Sequence, residues 1–264
     1  IVLPIAVAVI IAIMLYELLR AVKMNKCIPV LIASEVCGIS VPFIYDNYFV
    51  DSIKSPDSSM IYANGTLNII LFAITLLCAF VIFVTWLKKH KEIRYEQVFF
   101  VLAVMILVPQ AMSTMIRINN LNSEKPEGLF LLIMGLCGAW IADTGAYFSG
   151  VALGKHKLCS EISPKKTVEG FIGGTLTTGI VYAVAFTMYY GGGNFDLQYT
   201  LITFVLGAVC AVIGTVGDLS ASMVKRQIGF KDYGRIMPGH GGLMDRFDSI
   251  LFVLPTFYAF ITLL

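Results

Sequence analysis

The sequence predicts an all-α fold: a polytopic integral membrane protein built as one helical bundle. Hydrophobic residues make up 58% of the 264 residues and charged residues only 14%, whereas a soluble domain carries roughly 25% charged residues. Apolar windows of about 20 residues, the length that crosses a bilayer, recur along the chain. Such windows are expected to be helices, because a helix satisfies its backbone hydrogen bonds internally when no water is present.

Eight windows are apolar enough to be membrane spans, and the last of them is short. We expect one transmembrane domain over 1–264, with N-terminal helices in 1–126 and a second half, 127–264, that carries the candidate site described below. In chain order the predicted spans are 2–19, 27–47, 65–87, 97–117, 128–149, 168–190, 198–222 and 248–264.

Basic residues alternate between the connections and predict the orientation of the spans. The odd-numbered connections hold sixteen of the nineteen Lys and Arg residues, which by the positive-inside rule places these connections in the cytoplasm. The net charge of +2 is too small to indicate nucleic-acid binding. The sixteen are Arg20, Lys23, Lys26, Lys88, Lys89, Lys91, Arg94, Lys155, Lys157, Lys165, Lys166, Lys225, Arg226, Lys231, Arg235 and Arg246, against Lys54, Arg117 and Lys125 elsewhere.

The start of the sequence bears on the span count. Ile1 opens directly on an apolar run, without an initiating Met or a signal-peptide cleavage pattern. The charge pattern places this residue on the outer side of the membrane. A preceding span that enters from the cytoplasm would account for both observations, so we expect nine spans in the parent protein.

The fifth connection, "GKHKLCSEISPKKTVEGFIGG", is richer in polar residues than a simple link between helices requires. Ser163 followed by Pro164 predicts a helix start, with a capping hydroxyl and proline at the first helical position. Lys165, Lys166 and Thr167 would then lie in the first turn, where free backbone N–H groups favour an anion. A bound phosphate is one interpretation; the other is ordinary positive-inside lysines.

Two further groups of residues are assigned to packing. Gly170 and Gly174 form a GxxxG pair, which is typical of close helix contacts. The six cysteines show no CxxC or other ligand spacing, so we expect neither disulfides nor a zinc site.

The seventh connection combines cations, carboxylates and glycines in "KRQIGFKDYGRIMPGHGGLMDRFDSI". Gly241 and Gly242 would let the backbone approach a ligand closely. His240 could donate a hydrogen bond to a phosphate, although a lone histidine is more often structural. The charged residues of this stretch are Lys225, Arg226, Lys231, Asp232, Arg235, Asp245, Arg246 and Asp248.

Four aspartates are expected near one depth, close to the cytoplasmic ends of their spans. Asp143 and Asp218 each lie about two helical turns before such an end, and Asp245 and Asp248 begin the final span. Intramembrane carboxylates are costly and usually functional, and Mg²⁺ takes one or two carboxylates together with phosphates and water. Together the acids indicate a site for a divalent cation and a polyphosphate, although each alone could form a salt bridge. Glu35, inside the second span, faces either a helix partner or this site.

At this point the motifs resemble those of the phosphatidate cytidylyltransferase (CDP-diacylglycerol synthase) family. The segment "SASMVKRQIGFKDYGRIMPGHGGLMDRFD" is similar to the family signature, and "SPKKTVEG" and "DTGAYFSG" resemble two further blocks in the right order. The similarity covers residues 130–264, and the first half matches only in hydropathy. Ala221 departs from the glutamate often found at its position.

The resemblance implies that CTP and phosphatidate give CDP-diacylglycerol and pyrophosphate in a bacterial inner membrane, with the site facing the cytoplasm. It also implies Mg²⁺, K⁺ as a second cation, and a homodimer. Asp218 and Asp245 would hold the metal, with Asp143 and Asp248 as lesser candidates. Lys165, Lys166, Lys225, Arg226 and Arg246 would neutralise phosphates. The expected substrate-binding residues are Ser163, Lys165, Lys166, Thr167, Ser222, Lys231, Asp232, His240, Gly241 and Gly242.

Two other functions stay open at the level of sequence. A CTP-dependent lipid kinase would use the same nucleotide but transfer its γ-phosphate. A transporter would also carry intramembrane charges, yet transporters place their sites near the bilayer midplane between repeats. Here the acids lie towards one side, and the sequence has no internal repeat.

Overall fold

A computed structural model describes residues 2–46, 60–121, 125–192, 196–234 and 241–263. Within these ranges the chain forms nine helices and one two-stranded hairpin. They are α1 (Val2–Ala21), α2 (Ile28–Ile44), α3 (Met60–Lys88), α4 (Tyr95–Asn119), α5 (Lys125–Leu153), β1 (Lys157–Cys159), β2 (Ser163–Thr167), α6 (Val168–Tyr190), α7 (Leu197–Ile228), α8 (Met244–Phe247) and α9 (Ile250–Leu263).

The helices confirm a polytopic, all-α membrane protein. In the described ranges, seven stretches are long and apolar enough to cross a membrane, and α2 is a shorter apolar helix. The final stretch is divided into α8 and α9. Large apolar side chains such as Phe72, Leu77 and Phe148 lie on the outer surface, each about two-thirds exposed. A surface of this kind suits lipid rather than water.

The chain divides into two compact units, and residues 1–124 and 230–245 form the first. In this unit α2 packs against α1, α3 and α4. Its core is a cluster of fully buried apolar side chains contributed by all four helices. Members of this cluster include Leu19, Val30, Ile82 and Met105.

The second unit comprises residues 125–229 and 246–264. Here α6 packs against both α5 and α7, and α9 packs against α5 and α7. Tyr182 lies at the centre of the unit, fully buried. Its hydroxyl donates a 2.6 Å hydrogen bond to the Met134 carbonyl oxygen, and its ring packs edge-on against Phe257. The buried hydroxyl is therefore paired, as an apolar interior requires.

Helix α7 extends beyond the predicted membrane span. The predicted span ended at residue 222 and left Lys225 and Arg226 in the connection, but both lie in the last turn of α7. Basic residues are good helix formers and interact favourably with a helix C-terminus. The helix continues until Gly229, whose φ of +81° forms a left-handed cap. As a result, Asp218 and Lys225 lie on one continuous helix, about 10 Å apart along its axis.

The GxxxG pair packs helices together, as predicted. A Cβ atom on Gly174 would lie 2.5 Å from the Ala142 carbonyl oxygen of α5, and one on Gly170 would lie 2.7 Å from the Ala146 carbonyl oxygen. Neither carbonyl can move without displacing the α5 backbone. Glycine at both positions therefore permits the close approach of α5 and α6.

Gly174→Ala is expected to destabilise the protein by about 1–3 kcal/mol, because the added methyl group overpacks a helix contact made by backbone. Gly65→Ala is the matched control, since a Cβ atom there would meet nothing within 4 Å beyond its chain neighbours and the local helix backbone. Thermal unfolding in detergent measures both variants. Equal melting temperatures for the two would contradict the packing role of Gly174.

Candidate active site

A hairpin, rather than a helix start, carries the basic residues of the fifth connection. β1 and β2 pair antiparallel, with Lys157 opposite Thr167 and Cys159 opposite Ser163. The helix predicted from Ser163 and Pro164 was wrong, because these residues are in β2 and α6 begins at Val168. The Thr167 hydroxyl is the true cap and accepts a hydrogen bond from the Gly170 backbone N–H.

The extended strand gives its two lysines different environments. Successive side chains of a strand point to opposite faces. Lys165 is accordingly exposed, whereas Lys166 is half-buried. The sequence predicted the same environment for both lysines, in one helical turn, whereas in the structure they differ in exposure.

Lys166 forms an ion pair with Asp218 of α7. The Nζ atom lies 2.5 Å from Asp218 Oδ2, and the two side chains are 24% and 25% exposed. Both groups are thus partly withdrawn from water, where a charge interaction is screened less than at an open surface. This contact joins a strand of the fifth connection to a helix much later in the chain.

A second ion pair lies in the same unit. Lys225 Nζ is 3.8 Å from Asp248 Oδ2, and these side chains are only 12% and 8% exposed. Asp248 lies between α8 and α9, where its Oδ1 atom also accepts the Ser249 backbone N–H. Two of the four aspartates, Asp218 and Asp248, therefore form the salt bridges that the sequence left open as an alternative, each with one lysine.

The carboxylates of the second unit are close enough to interact. Asp248 experiences the negative charges of Asp218 and Asp143 as well as the positive charge of Lys225. Asp143, on α5, interacts with Lys166 and Asp218. The three acids and two lysines thus form one cluster, which we call the acid–lysine cluster: Asp143, Lys166, Asp218, Lys225 and Asp248.

Two further predicted site residues follow Asp218 on α7. Ser222 and Arg226 are spaced four and eight residues after Asp218, which places all three along one side of the helix. Ser222 is partly exposed, whereas Arg226 and, in the short helix α8, Arg246 are exposed.

Glu169 makes polar contacts that were not predicted from the sequence. Its carboxylate accepts hydrogen bonds from the backbone N–H groups of Lys155 and His156, at 3.1 and 3.2 Å, and contacts His156 Nδ1 at 2.6 Å. It thereby ties the start of the fifth connection to the first turn of α6. An acidic residue in a first helical turn was the available signal.

The remaining predicted residues of the seventh connection lie in the first unit. Lys231 and Asp232 are exposed and, with Arg20, line a cavity of about 170 Å³. Gly241 has a φ of +87°, which glycine adopts without strain. Asp245 Oδ2 accepts hydrogen bonds from the Tyr233 and Gly242 backbone N–H groups, both at 2.9 Å. His240 lies outside the described residues.

The donor set of the acid–lysine cluster fits a hard divalent cation. Among the described residues, no three His, Cys, Asp or Glu side chains are placed to hold a metal ion unaided. Mg²⁺ does not need such a cage, because it takes one or two carboxylates and completes its shell with phosphates and water. The carboxylates of the cluster are those of Asp143, Asp218 and Asp248.

Comparison with known proteins gives consistent matches. A family model described as "Cytidylyltransferase family" matches residues 1–264. A phosphatidate cytidylyltransferase of Staphylococcus saprophyticus is 46% identical over 135 residues, 51% of this chain and 50% of that protein. One of Staphylococcus haemolyticus is 43% identical over 133 residues, 50% and 49% of the two chains. One of Bacillus subtilis is 35% identical over 251 residues, 94% of this chain and 84% of the relative. The match thus spans about half the length of the two staphylococcal relatives.

Proposed function

Because the chain belongs to the cytidylyltransferase family, we propose that it transfers CMP from CTP to phosphatidate, giving CDP-diacylglycerol and pyrophosphate. The relatives named above carry the name phosphatidate cytidylyltransferase. The acid–lysine cluster is the structural observation that supports the proposal. It places two cations and three carboxylates together in a membrane-spanning unit, as a reaction between two polyanions demands.

In the proposed reaction, a phosphate oxygen of phosphatidate attacks the α-phosphorus of CTP. A new P–O bond forms, the bond from the α-phosphorus to the bridging oxygen breaks, and pyrophosphate leaves with those electrons. The attacking phosphate is already anionic near neutral pH, so no side chain has to remove a proton from it. Catalysis then depends on holding the two phosphates in line and neutralising their charge.

Lys166 and Lys225 are suited to neutralise substrate phosphates. Each is held beside an aspartate at low exposure, so its ammonium group is oriented before the substrate arrives. Arg226 and Ser222 follow on the same helix. An incoming phosphate can take over part of each lysine's charge without a large movement of the side chain.

Mg²⁺ belongs to the proposal as the cofactor. Asp218 would hold it, with Asp143 and Asp248, the other acids of the cluster, as lesser candidates. When bound, the ion would offset the charge of the triphosphate and of the leaving pyrophosphate. Asp245, which was also predicted to hold the metal, lies in the first unit, where its Oδ2 atom accepts two backbone hydrogen bonds. K⁺ as a second cation and a homodimer complete the proposal on the strength of the family resemblance.

Two labels on CTP test the proposed function. Purified protein in detergent is given phosphatidate and CTP that carries a label either in cytidine or in the γ-phosphate, and the lipids are then extracted. The proposal expects the cytidine label in the lipid and the γ label in pyrophosphate. The γ label in the lipid would instead identify a lipid kinase. If neither label enters the lipid, the assignment is overturned.

The charge asymmetry supports a cytoplasmic location for the site, and the inner membrane of a bacterium belongs to the proposal on the strength of the bacterial relatives. Ser160 lies exposed in the hairpin, and Gln198 lies exposed in the first turn of α7. In a background without native cysteines, Ser160→Cys should react with an impermeant thiol reagent only in inside-out vesicles. Gln198→Cys should react only from the outer face of intact cells. Reversal of the two patterns would overturn the orientation.

A further inference from the structure

Glu17 is a buried acid that the proposed reaction does not use. It lies in the apolar helix α1, and it is only 1% exposed. A carboxylate withdrawn from water in such a helix is costly unless it is well paired. Its partners therefore indicate why it is there.

Both oxygens of Glu17 bind the backbone of the seventh connection. Oε1 accepts a hydrogen bond from the Leu243 backbone N–H at 3.1 Å, and Oε2 accepts one from the Met244 N–H at 2.8 Å. Two consecutive amides are thus held by one carboxylate, across more than 220 positions of sequence.

Two glycines make room for this contact. A Cβ atom on Gly242 would lie 2.6 Å from both Glu17 oxygens, and one on Gly234 would collide with Oε1. The glycines of the seventh connection therefore pack against the acid itself. Any larger residue at either position would push the segment away from α1.

Asp245 closes the same segment onto itself. Its Oδ2 atom accepts the backbone N–H groups of Tyr233 and Gly242, which joins the two described ends, 230–234 and 241–245. Glu17 then fastens the closed segment to α1. Lys231 and Asp232 lie on this segment and, with Arg20 of α1, line the cavity beside it.

We propose that Glu17 is a positioning residue: it holds the segment formed by 230–234 and 241–245 in the geometry that substrate binding requires. This inference rests on the proposed function and on the family resemblance, which implies that Lys231, Asp232 and Gly241 bind substrate. Glu17 itself does not touch substrate, because it is buried and both of its oxygens are occupied by backbone amides.

Glu17→Gln tests the proposal, because the shape is kept while one acceptor becomes an NH₂ group that faces an N–H donor. We expect kcat/KM for CTP to fall about 100-fold, the loss typical of a small misplacement of binding groups. Hydrogen–deuterium exchange should become at least about tenfold faster at Leu243 and Met244, while amides of α2 and α4 stay protected. Gly242→Ala should give the same pattern, since it displaces the segment from an intact Glu17.

Glu92→Gln is the matched control. Glu92 makes the same chemical change possible in the same unit, outside the apolar helices, where its side chain is largely exposed and lies 3.8 Å from the Lys89 ammonium group. This variant should keep wild-type kinetics and wild-type exchange over 241–245.

Two results would overturn the proposal. One is wild-type kinetics with wild-type exchange in Glu17→Gln. The other is faster exchange throughout α2 and α4 together with the loss of activity, which would make Glu17 a general stabiliser of the unit. A wild-type protein without transferase activity would refute the proposed function instead, and exchange at Leu243 and Met244 would still decide whether Glu17 anchors the segment.

Discussion

Asp218→Asn is expected to lower turnover by about 100- to 1,000-fold while leaving a folded protein. The substitution keeps the shape of the side chain but removes the charge that faces Lys166 and that would hold the cation. Loss of one preorganised electrostatic contact at a reacting phosphate has an effect of this size. The measurement is kcat at saturating CTP and phosphatidate, with circular dichroism to confirm the helical content.

Asp196→Asn is the control for this variant because it makes the same chemical change at the other end of α7. Asp196 caps the helix by accepting the Gln198 and Tyr199 backbone N–H groups, and Asn caps about as well as Asp. Its turnover should stay within about twofold of wild type. Turnover of Asp218→Asn in that same range would remove Asp218 from the site.

Lys166→Met is expected to lower kcat/KM for CTP by about 100-fold, and Lys165→Met to have an effect at least about tenfold smaller. Lys166 is half-buried and paired with Asp218, whereas its neighbour is exposed on the other face of β2. Methionine keeps the aliphatic length of lysine and removes only the charge. Steady-state kinetics of the two variants, each with its melting temperature, measure the difference.

Equal losses at the two positions would contradict the strand geometry. They would instead fit the first-turn arrangement expected from Ser163 and Pro164, in which both lysines surround one anion. A larger loss at Lys165 would reverse the assignment of the two faces.

The helices and their polar ends could be predicted from sequence because bilayer thickness leaves few alternatives for an apolar window. Local signals were less reliable. The Ser163–Pro164 pair has the chemistry of a helix start, yet pairing with Lys157–Cys159 makes the segment a strand. Lys225 and Arg226 are charged, so they suggested a connection, whereas the helix simply extends beyond the apolar stretch.

In the candidate site, too, some features could be predicted from the sequence and others could not. Asp143, Asp218 and Asp248 could be chosen from sequence because acids are rare in apolar spans. Their pairing with Lys166 and Lys225 could not, since it depends on how distant elements pack. Glu17 also lies in an apolar window, but its role depends on the backbone amides of Leu243 and Met244. Because every residue other than proline has a backbone N–H group, the sequence does not indicate which of them bind a distant carboxylate.

The release of pyrophosphate is the measurement that decides whether this protein transfers CMP to phosphatidate. Purified protein is supplied with CTP, phosphatidate and Mg²⁺, and pyrophosphate and CDP-diacylglycerol are measured in the same reaction. Cytidylyl transfer at the acid–lysine cluster predicts one pyrophosphate per CDP-diacylglycerol, a requirement for both substrates, and a parallel loss of both products in Asp218→Asn. Release of CDP without pyrophosphate, or undiminished pyrophosphate release in Asp218→Asn, would contradict it.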